Sequence, residues 1–485
     1  MDYNLIIKMT EDHKMPINSF DDYFLSWKPD KKNIKKPIYK SLAELLEKDI
    51  IGGVLLPNTL LPPQRELADY LDINFTTVTR AYKLCELKGL IYAETGRGTF
   101  VSPSASSKIT ISLEHTPSQT IDLGFVSSFE RYNSLIYDHV PQAYKKNSFS
   151  ALLTYDDPTG ILSHKKAALK WLNTLQCYPS IDNLAITAGT QNALTISLLA
   201  LFSPGDYIAV DCFTYPNFIA LAKMLNIKLI PVKSDNNGII PAELENHARK
   251  KRLKGLFIVP SCNNPTTIVT TDFRKRQLAE IVKKYDLILI EDDIHAFLNT
   301  DVIPNYMGPM ARYAPEQSVY ICSLSKSICS GLRIAYLAYS TPFREKILNA
   351  LFNVNVKTSS YNVQLVSSLI NNGVADEIVK RKIETAKIRN DIFNDIFYYA
   401  PQNGHPLSFY RWLPISSNKP GREIEEYMQS NGIKIYHSDR FVCGSTNKSN
   451  EHYIRVSLSN LDNDESLANG LKRLKMVLEN GRIII

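Results

Sequence analysis

A lysine placed among small hydroxyl residues has the surroundings that imine chemistry requires. Lys326 follows the apolar stretch 318–322 and two serines, Ser323 and Ser325, so we expect it at the end of a buried strand. Burial lowers the pKa of an ammonium group, and the resulting neutral amine can form a Schiff base with an aldehyde. The serine hydroxyls and Arg333 can bind one phosphate group. Lys326 is therefore a candidate for the amine that binds pyridoxal 5'-phosphate (PLP); the alternative is an ordinary surface lysine after a strand.

The other groups that a PLP site needs are also present in the sequence. Asp292 can keep the pyridine nitrogen protonated, which makes the ring an electron sink. Asn264 can donate a hydrogen bond to the phenolic oxygen, and Tyr215 can stack on the face of the ring. Arg455 can hold a ligand carboxylate through two guanidinium nitrogens; the alternative is an arginine on the surface of a strand. The candidate phosphate ligands are Gly189, Thr190, Gln191, Ser323, Ser325 and Arg333.

The elements that must position these residues follow an α/β pattern. From about residue 121 onward, apolar strands alternate with helices, which is typical of a largely parallel sheet. Polar clusters follow the predicted strands 184–187, 207–210, 255–259 and 287–290. Because ligands bind at the carboxyl ends of parallel strands, we expect these clusters to lie together. Residues after about 350 are predicted to form a smaller companion domain of helices and short strands.

A second group of candidate residues lies near the N-terminus. Residues 61–71 and 76–87 are predicted to form two short helices separated by a four-residue break, which is a helix-turn-helix. Residues 90–101 are predicted to form a hairpin whose glycine-rich, basic tip can reach the minor groove as a wing. The alternative is a small helical protein-interaction domain. The candidate DNA contacts are Arg65, Thr76, Thr77, Thr79, Arg80 and Arg97.

Three segments resemble the winged-helix domain of the GntR superfamily. They are LPPQRELADYL at 61–71, TTVTRAY at 76–82 and KGLIYAETGRGTFV at 88–101. Many members have an arginine just before the threonines, where this chain has Asn74 and Phe75. The resemblance implies DNA binding through a winged helix, and it leaves the individual base contacts open.

Residues 155–460 resemble a fold-type I aminotransferase of class I/II. The resemblance lies in motifs that occur in the family's order: Tyr-Pro at 215–216, Asn-Pro-Thr at 264–266, Glu-Asp-Asp at 291–293, Ser-x-Ser-Lys at 323–326 and Gly-Leu-Arg at 331–333. It implies PLP bound to Lys326. Members place a tyrosine two or three residues after the aspartate, where this chain has Ile294 and His295. His295 can donate to the phenolic oxygen in its place; the alternative is a strand-end histidine without this role.

A winged helix, a linker and an aminotransferase-like domain occur in this order in the MocR/GabR-type regulators of the GntR superfamily. This resemblance covers residues 37 to about 475. It implies a bacterial transcription regulator that binds operator DNA and senses a small amino compound or PLP itself. It also implies a head-to-tail homodimer with swapped DNA-binding domains. The rival hypothesis is a working aminotransferase tethered to DNA by its N-terminal domain; a third is an inactive PLP fold that serves as a dimer scaffold.

Length and composition set the domain organisation. A chain of 485 residues is too long for one hydrophobic core, and 44% hydrophobic with 22% charged residues is typical of globular proteins. The predicted boundaries are an N-terminal extension at 1–36, the winged helix-turn-helix at 37–102, a linker at 103–120 and the aminotransferase-like domain at 121–485. No apolar run approaches the roughly 18 residues of a membrane span. The seven cysteines are scattered, so we expect a cytoplasmic protein without disulfides, metal or membrane contact.

Overall fold

The computed structural model describes residues 25–51, 54–55, 59–94, 96–102, 111, 120–144, 150–250, 253–300, 302–304, 306–401, 403–417, 419–443 and 451–483. They form two compact units, one up to residue 106 and one from residue 107 onward. All seven cysteines are free thiols. Within the described residues, no helix has both the length and the hydropathy that crossing a membrane requires.

The first unit is a winged helix-turn-helix. Its helices are α1 (Ile38–Ile51), α2 (Gln64–Leu71) and α3 (Phe75–Leu87), and its strands β1 (Ile91–Glu94) and β2 (Gly98–Val101) pair antiparallel. Helix α3 begins at Phe75, one residue before the predicted start, because Asn74 caps it: the Thr76 N–H donates to Asn74 Oδ1 at 2.8 Å. An N-terminal cap of this kind satisfies a helix N–H group that lacks a main-chain partner.

The core of the first unit also includes a residue from the predicted extension. Leu42, Leu46 and Ile50 lie on one face of α1 and are fully buried, as their helical spacing predicts. Trp27 packs into the same cluster, and its indole N–H donates to Asp49 Oδ2 at 2.8 Å. A residue before position 37 therefore belongs to this core, although the sequence there shows no hydrophobic periodicity.

The second unit contains most of the strands and helices. Its strands are β3 (Ile121–Asp122), β4 (Leu184–Thr187), β5 (Tyr207–Asp211), β6 (Lys228–Val232), β7 (Ser234–Asp235), β8 (Gly238–Ile239), β9 (Leu253–Ile258), β10 (Ile288–Asp292), β11 (Ser318–Ser323), β12 (Ala335–Tyr339), β13 (Tyr410–Ser416), β14 (Ile433–Lys434), β15 (Tyr436–His437) and β16 (Glu451–Ser457). Its helices are α4 (Asn133–Ala143), α5 (Leu162–Thr174), α6 (Thr190–Leu201), α7 (Pro216–Met224), α8 (Pro241–Lys250), α9 (Asp272–Lys284), α10 (Arg344–Asn355), α11 (Ser360–Asn371), α12 (Val374–Ile396), α13 (Gly421–Ser430) and α14 (Asp464–Asn480).

A seven-stranded sheet forms the centre of this unit. The strand order is β4-β12-β11-β10-β9-β5-β6, and all neighbours are parallel except β12, which is antiparallel to both of its neighbours. Every residue of β10 and β11 is buried, as expected for strands with both faces covered by helices. The mixed α/β sheet of a fold-type I aminotransferase is therefore confirmed, and the carboxyl ends of its parallel strands share one edge.

A separate antiparallel sheet of β13, β16 and β15 forms the smaller part of the second unit. Helices α13 and α14 pack on it through the apolar cluster around Ile424, Leu471 and Ile454. Helix α12 is long and has fully buried basic residues, Lys382 and Arg389, on its inner side. This part of the molecule brings Arg455, in the middle of β16, toward the edge of the large sheet.

Candidate cofactor site and DNA-binding surface

A cavity of about 230 Å³ lies at the carboxyl edge of the large sheet. The predicted residues that line it come from separate strand ends and from β16, although they are far apart in the sequence. They are Thr190, Gln191, Tyr215, Asn264, Asp292, His295, Ser325, Lys326, Arg333 and Arg455. Gly189 and Ser323 are the predicted residues that are not among its lining residues.

Gly189 and Ser323 each lie next to a residue of the cavity lining. Gly189 has a φ of +86°, a conformation that favours glycine, and a Cβ atom there would come within 2.5 Å of Arg333 Nη2. Ser323 Oγ accepts a hydrogen bond from the Ser325 N–H at 3.2 Å. Ser323 thus holds the turn before Lys326, and its predicted contact with phosphate stays a prediction.

Lys326 lies in the turn that follows β11. Its Nζ donates to the main-chain oxygens of Val126 and Ser127, the latter at 3.3 Å. Burial, reinforced by the nearby Arg455 guanidinium, lowers the pKa of Lys326 to about 7. Near neutral pH, a large fraction of this lysine is therefore the uncharged amine that can attack an aldehyde.

This lowered pKa predicts how PLP uptake depends on pH. The rate at which ligand-free protein takes up PLP should rise as the pH increases through about 7 and level off above it, because only the neutral amine reacts. Stopped-flow absorbance of PLP mixed with ligand-free protein measures this rate. A rate that keeps rising to the pKa of an ordinary lysine, about 10.4, would show that Lys326 is not shielded from water.

The surroundings of Asp292 and of nearby polar side chains show whether the cavity can hold PLP. It ends β10, and burial, followed by the charge of Asp293, raises its pKa to about 8. Among the described residues its Oδ1 has no hydrogen-bond partner, and the same holds for Thr190 Oγ1 and Gln191 Oε1. Buried polar atoms without a partner are costly and rare in proteins. A pyridinium N–H can donate to Asp292, and a phosphate oxygen can accept from the Thr190 hydroxyl, so these two residues fit PLP.

Arg455 is buried and bonded to another predicted ligand residue. Its Nη1 donates to Asn264 Oδ1 at 2.8 Å, and its Nη2 donates to the main-chain oxygen of Gly124 at 2.9 Å. The rings of Tyr410, Tyr436 and Phe441 lie 5.6, 5.6 and 4.9 Å from its Cζ atom. These contacts hold the guanidinium group in place, with Nη1 bonded to Asn264. A ligand carboxylate that binds Arg455 must therefore replace or share the hydrogen bond to Asn264.

His295 lies in the cavity wall beside aromatic rings. Its ring is 5.9 Å from that of Phe409 and 5.7 Å from that of Tyr410, measured between centroids. Burial, with the positive charge of Lys326 next, lowers the pKa of His295 to about 3, so the imidazole is neutral. Neither ring nitrogen has a hydrogen-bond partner among the described residues. A neutral imidazole has one N–H group that can donate a hydrogen bond. Donation from His295 to the phenolic oxygen of PLP stays a prediction.

Several cavity residues were not predicted from the sequence. Phe125 and Val126 form one wall, and Ile111, from the predicted linker, forms part of another. The Ile111 N–H donates to Asn217 Oδ1 at 2.9 Å, and Asn217 Nδ2 donates back to the Ile111 oxygen at 3.3 Å. Apolar side chains and main-chain groups have no chemical signature in a sequence, so spacing could not have revealed them.

The predicted DNA contacts lie on the first unit and are mostly exposed. Arg65, Thr76, Thr79, Arg80 and Arg97 are exposed, and Thr77 is half-buried. Thr79 Oγ1 donates to Gln64 Oε1 at 2.8 Å, so this hydroxyl joins α3 to α2. The guanidinium of Arg80 lies 4.1 Å from the ring centroid of Tyr39. On the wing, Arg97 pairs with Glu94 at 2.8 Å, and DNA phosphate would have to compete with that carboxylate.

One group of side chains away from the cavity has metal-ligand character. His437, Asp439 and His452 bring one ligand atom each within 4.8 Å of one another. However, His437 Nδ1 accepts a hydrogen bond from the Asp439 N–H at 3.2 Å. That hydrogen bond occupies the lone pair of Nδ1, whereas Nε2 of the same ring has no hydrogen-bond partner among the described residues.

Comparison with known proteins identifies both units. Residues 128–466 match the family model for aminotransferase class I and II, and residues 38–101 match that for bacterial regulatory proteins of the gntR family. The HTH-type transcriptional regulator YdeF of Bacillus subtilis is 37% identical over 96% of this chain and 99% of its own length. This chain belongs to the GntR-type regulators that have an aminotransferase class I and II domain. The predicted MocR-type architecture is confirmed, and PLP is the cofactor of the second unit.

More distant relatives of this GntR-type regulator agree with the assignment. The HTH-type transcriptional regulator YjiR of Escherichia coli is 25% identical over 67% of this chain and 73% of its own. The kynurenine aminotransferase of Pyrococcus horikoshii superimposes with a TM-score of 0.68 at 20% identity, covering 75% of this chain and 92% of that one. LysN, the alpha-aminoadipate aminotransferase of Thermus thermophilus, has a TM-score of 0.66 at 18% identity, covering 75% and 93%. These solved structures establish the fold.

Proposed function

We propose that this GntR-type regulator binds operator DNA through its winged helix and senses an amino compound, or PLP itself, in its aminotransferase-like unit. The observation that supports this most directly is the joint presence of both sites on one chain. The first unit exposes arginine and threonine side chains around α3, and the second unit has a cavity whose unpaired polar atoms suit PLP. The similarity to an HTH-type regulator extends over both units.

The sensing step depends on residues that approach the ligand from two different sheets. PLP supplies an aldehyde to which an amine can bind covalently. Lys326, after β11, provides the protein's own amine, whereas Arg455 on β16 lies where the carboxylate of an amino acid can bind. A ligand whose amine takes the place of Lys326 and whose carboxylate binds Arg455 favours the arrangement in which Arg455 is close to the cofactor. Such a ligand shifts the equilibrium between two states only by its difference in affinity for them.

The rival function is steady transamination. The residues discussed above would serve an enzyme as well, and Lys326, Asp292 and Arg455 do not discriminate between the two. What favours sensing is the region after Asp292, where a buried neutral histidine, His295, and Ile294 replace the tyrosine typical of the fold's enzymes. Sustained turnover of an amino acid and a 2-oxo acid, at a rate matching that of aminotransferases, would support the rival.

The test of the proposed function measures DNA affinity as a function of ligand. DNA duplexes selected from a random pool by the full-length protein serve as operator substitutes. Their dissociation constant is measured with ligand-free protein, with PLP, and with PLP plus each common amino acid in turn. We expect one compound to change the constant at least about fivefold, a typical allosteric coupling. An affinity that no compound alters would contradict sensing, and it would leave DNA binding itself intact.

A separate prediction concerns the DNA-binding surface. Arg65, exposed near the start of α2, is expected to neutralise one phosphate. Arg65→Ala should therefore weaken binding to all duplexes and reduce the slope of log affinity against log salt by about one unit. Fluorescence anisotropy over a salt series measures that slope. The matched control is Arg381→Ala, which removes an exposed arginine of the second unit. An unchanged slope in Arg65→Ala would remove Arg65 from the phosphate contacts.

The assembly and location of this regulator are also proposals. The resemblance to MocR/GabR-type regulators supports a cytoplasmic, head-to-tail homodimer with swapped DNA-binding domains. A two-fold dimer binds repeated half-sites spaced by whole helical turns, unless the linkers allow each winged helix to reorient. Sedimentation analysis of the full chain, with and without a selected duplex, measures the subunit count and the stoichiometry on DNA.

A further inference from the structure

A second lysine lies directly beneath the turn that contains Lys326. Lys382 is on α12 and has no exposed surface. Its Nζ donates to the main-chain oxygen of Lys326 at 3.1 Å and to that of Ile328 at 2.8 Å. No carboxylate lies within 4 Å of it among the described residues. A buried ammonium group is expensive to desolvate, and a neutral donor would satisfy the same two carbonyls at lower cost.

Three cations and one anion act on the proton of Lys326. Besides Lys382, the cations that face Lys326 are Arg455 on β16 and Arg333 at the end of the turn, and all three lower its pKa. One anion, Glu130, raises it. The Glu130 carboxylate accepts hydrogen bonds from Ser330 Oγ at 2.7 Å and Ser128 Oγ at 3.0 Å. The pKa of Glu130 is lowered although burial, the largest effect, opposes this, so it is charged at neutral pH.

The charge on Lys382 itself also depends on pH. Burial lowers the pKa of Lys382 to about 8, and the charge of Glu130 opposes this effect. Near pH 7, Lys382 is therefore mostly protonated and repels a proton on Lys326. Lys326 lies in the turn, and Lys382 donates two hydrogen bonds to main-chain oxygens of that turn. These hydrogen bonds keep the two lysines close to each other.

We propose that Lys382 is a positioning residue for Lys326: it holds the turn that presents the reactive amine, and its charge favours the uncharged form of that amine. This inference rests on the proposed role of Lys326 as the amine that binds PLP. Its geometric basis is the pair of hydrogen bonds from Nζ to the carbonyls of residues 326 and 328. It assigns a role to a residue on α12 that does not line the cavity.

The experiment follows the pH at which ligand-free protein becomes able to take up PLP. The neutral amine of Lys326 adds to the aldehyde carbon of PLP, and the aldehyde oxygen leaves as water with both protons of the amine. The rate of the absorbance change against pH therefore gives a midpoint that reports the proton on Lys326. Lys382→Met should raise this midpoint by about one unit, since a nearby like charge is lost. Glu130→Gln should lower it, because an opposite charge is lost.

Two control variants separate charge from loss of structure. Lys382→Arg keeps both the charge and the donors, so its midpoint should stay close to that of the wild type. Arg381→Met removes a neighbouring exposed cation of α12, paired with Glu377, and should leave the midpoint unchanged. A purely structural role for Lys382 predicts a lower yield of PLP-binding protein and no opposite shifts in the two charge variants.

The outcomes that overturn the inference are specific. A Lys382→Met protein that takes up PLP with the wild-type midpoint contradicts it, as do shifts of the same sign in Lys382→Met and Glu130→Gln. If Lys382→Met does not fold, Lys382→Gln, which keeps a side-chain donor and removes the charge, decides the electrostatic part: an unshifted midpoint contradicts it. Failure of the Lys326 assignment would be recognised separately, because Lys326→Ala would then still take up PLP.

Discussion

Lys326→Ala should abolish the visible absorbance that PLP gives to this protein. Lys326 is the lysine whose amino group lines the cavity, and burial there lowers its pKa to about 7. Its Nζ already donates to main-chain oxygens of residues 126 and 127, which orient it toward the cavity wall. Without this amine the aldehyde of PLP has no covalent partner in the site. The measurement is the absorbance of protein incubated with PLP and then freed of excess by gel filtration.

The chemical identity of the attachment is tested by reduction. Borohydride treatment of the wild-type protein with PLP, followed by peptide mass spectrometry, should place the label on Lys326. The competing position is Lys382, the buried lysine behind the same turn. A label on Lys382, or undiminished absorbance in Lys326→Ala, would reject the assignment.

Asp292→Asn provides the matched control for this loss. The asparagine keeps the size of Asp292 but not its charge, so the amine can still react while the pyridinium loses its partner. PLP affinity should fall by about one to two orders of magnitude, corresponding to ~1.5–3 kcal/mol for a hydrogen bond to a charged group. The absorbance should then return at high PLP concentration, whereas in Lys326→Ala no concentration restores it.

Arg455→Gln should abolish the influence of a carboxylate-containing effector on DNA affinity and leave PLP binding in place. Arg455 is buried on β16, and its Nη1 lies at Asn264 in the cavity. A bidentate guanidinium–carboxylate contact is among the strongest hydrogen-bonded pairs, and glutamine cannot reproduce it. The measurement compares the dissociation constant for a selected duplex with and without effector in both proteins, at saturating PLP. The coupling, about fivefold or more in the wild type, should vanish.

The control for this variant is another buried arginine of the same sheet. Arg411 on β13 donates to Asn394 Oδ1 at 3.2 Å and does not line the cavity. Arg411→Gln should keep the effector response, even if both variants lose stability. A second comparison replaces the effector amino acid by its decarboxylated amine, to which the wild-type protein should respond poorly. If Arg455→Gln responds like the wild type, the effector is held elsewhere, and PLP itself becomes the better candidate.

The motifs of the cofactor site were predictable because their chemistry is local. Asp292 ends a short apolar strand, and Asn264 and Lys326 each follow one. Parallel strands place their carboxyl ends along one edge, so a correct α/β interpretation brings these residues together without further information. Gly189 and Ser323 were assigned to phosphate binding by the same logic. They are not among the lining residues of the cavity but lie next to residues that are, and their contact with phosphate stays a prediction.

The winged helix was also predictable from local sequence patterns, although α3 begins one residue earlier than predicted. Helical spacing of apolar residues, a break and a glycine-rich hairpin specify the motif. The replacement of the family's arginine by Asn74 and Phe75 has a structural explanation in this chain. Asn74 caps α3, and the ring of Phe75 lies 5.8 Å from the guanidinium of Arg65.

The sequence by itself determined the element types, the order of the motifs and hence the two-site architecture, since these depend on residue spacing and turn chemistry. Tertiary structure decided which groups surround each reactive atom. The oxygens that Lys326 contacts lie 199 and 200 residues away in the chain, Asn264 reaches Arg455 across 191 residues, and Lys382 reaches the lysine turn across 56. Main-chain oxygens are identical in every residue, and the burial that lowers the pKa of Lys326 exists only when distant segments pack around it.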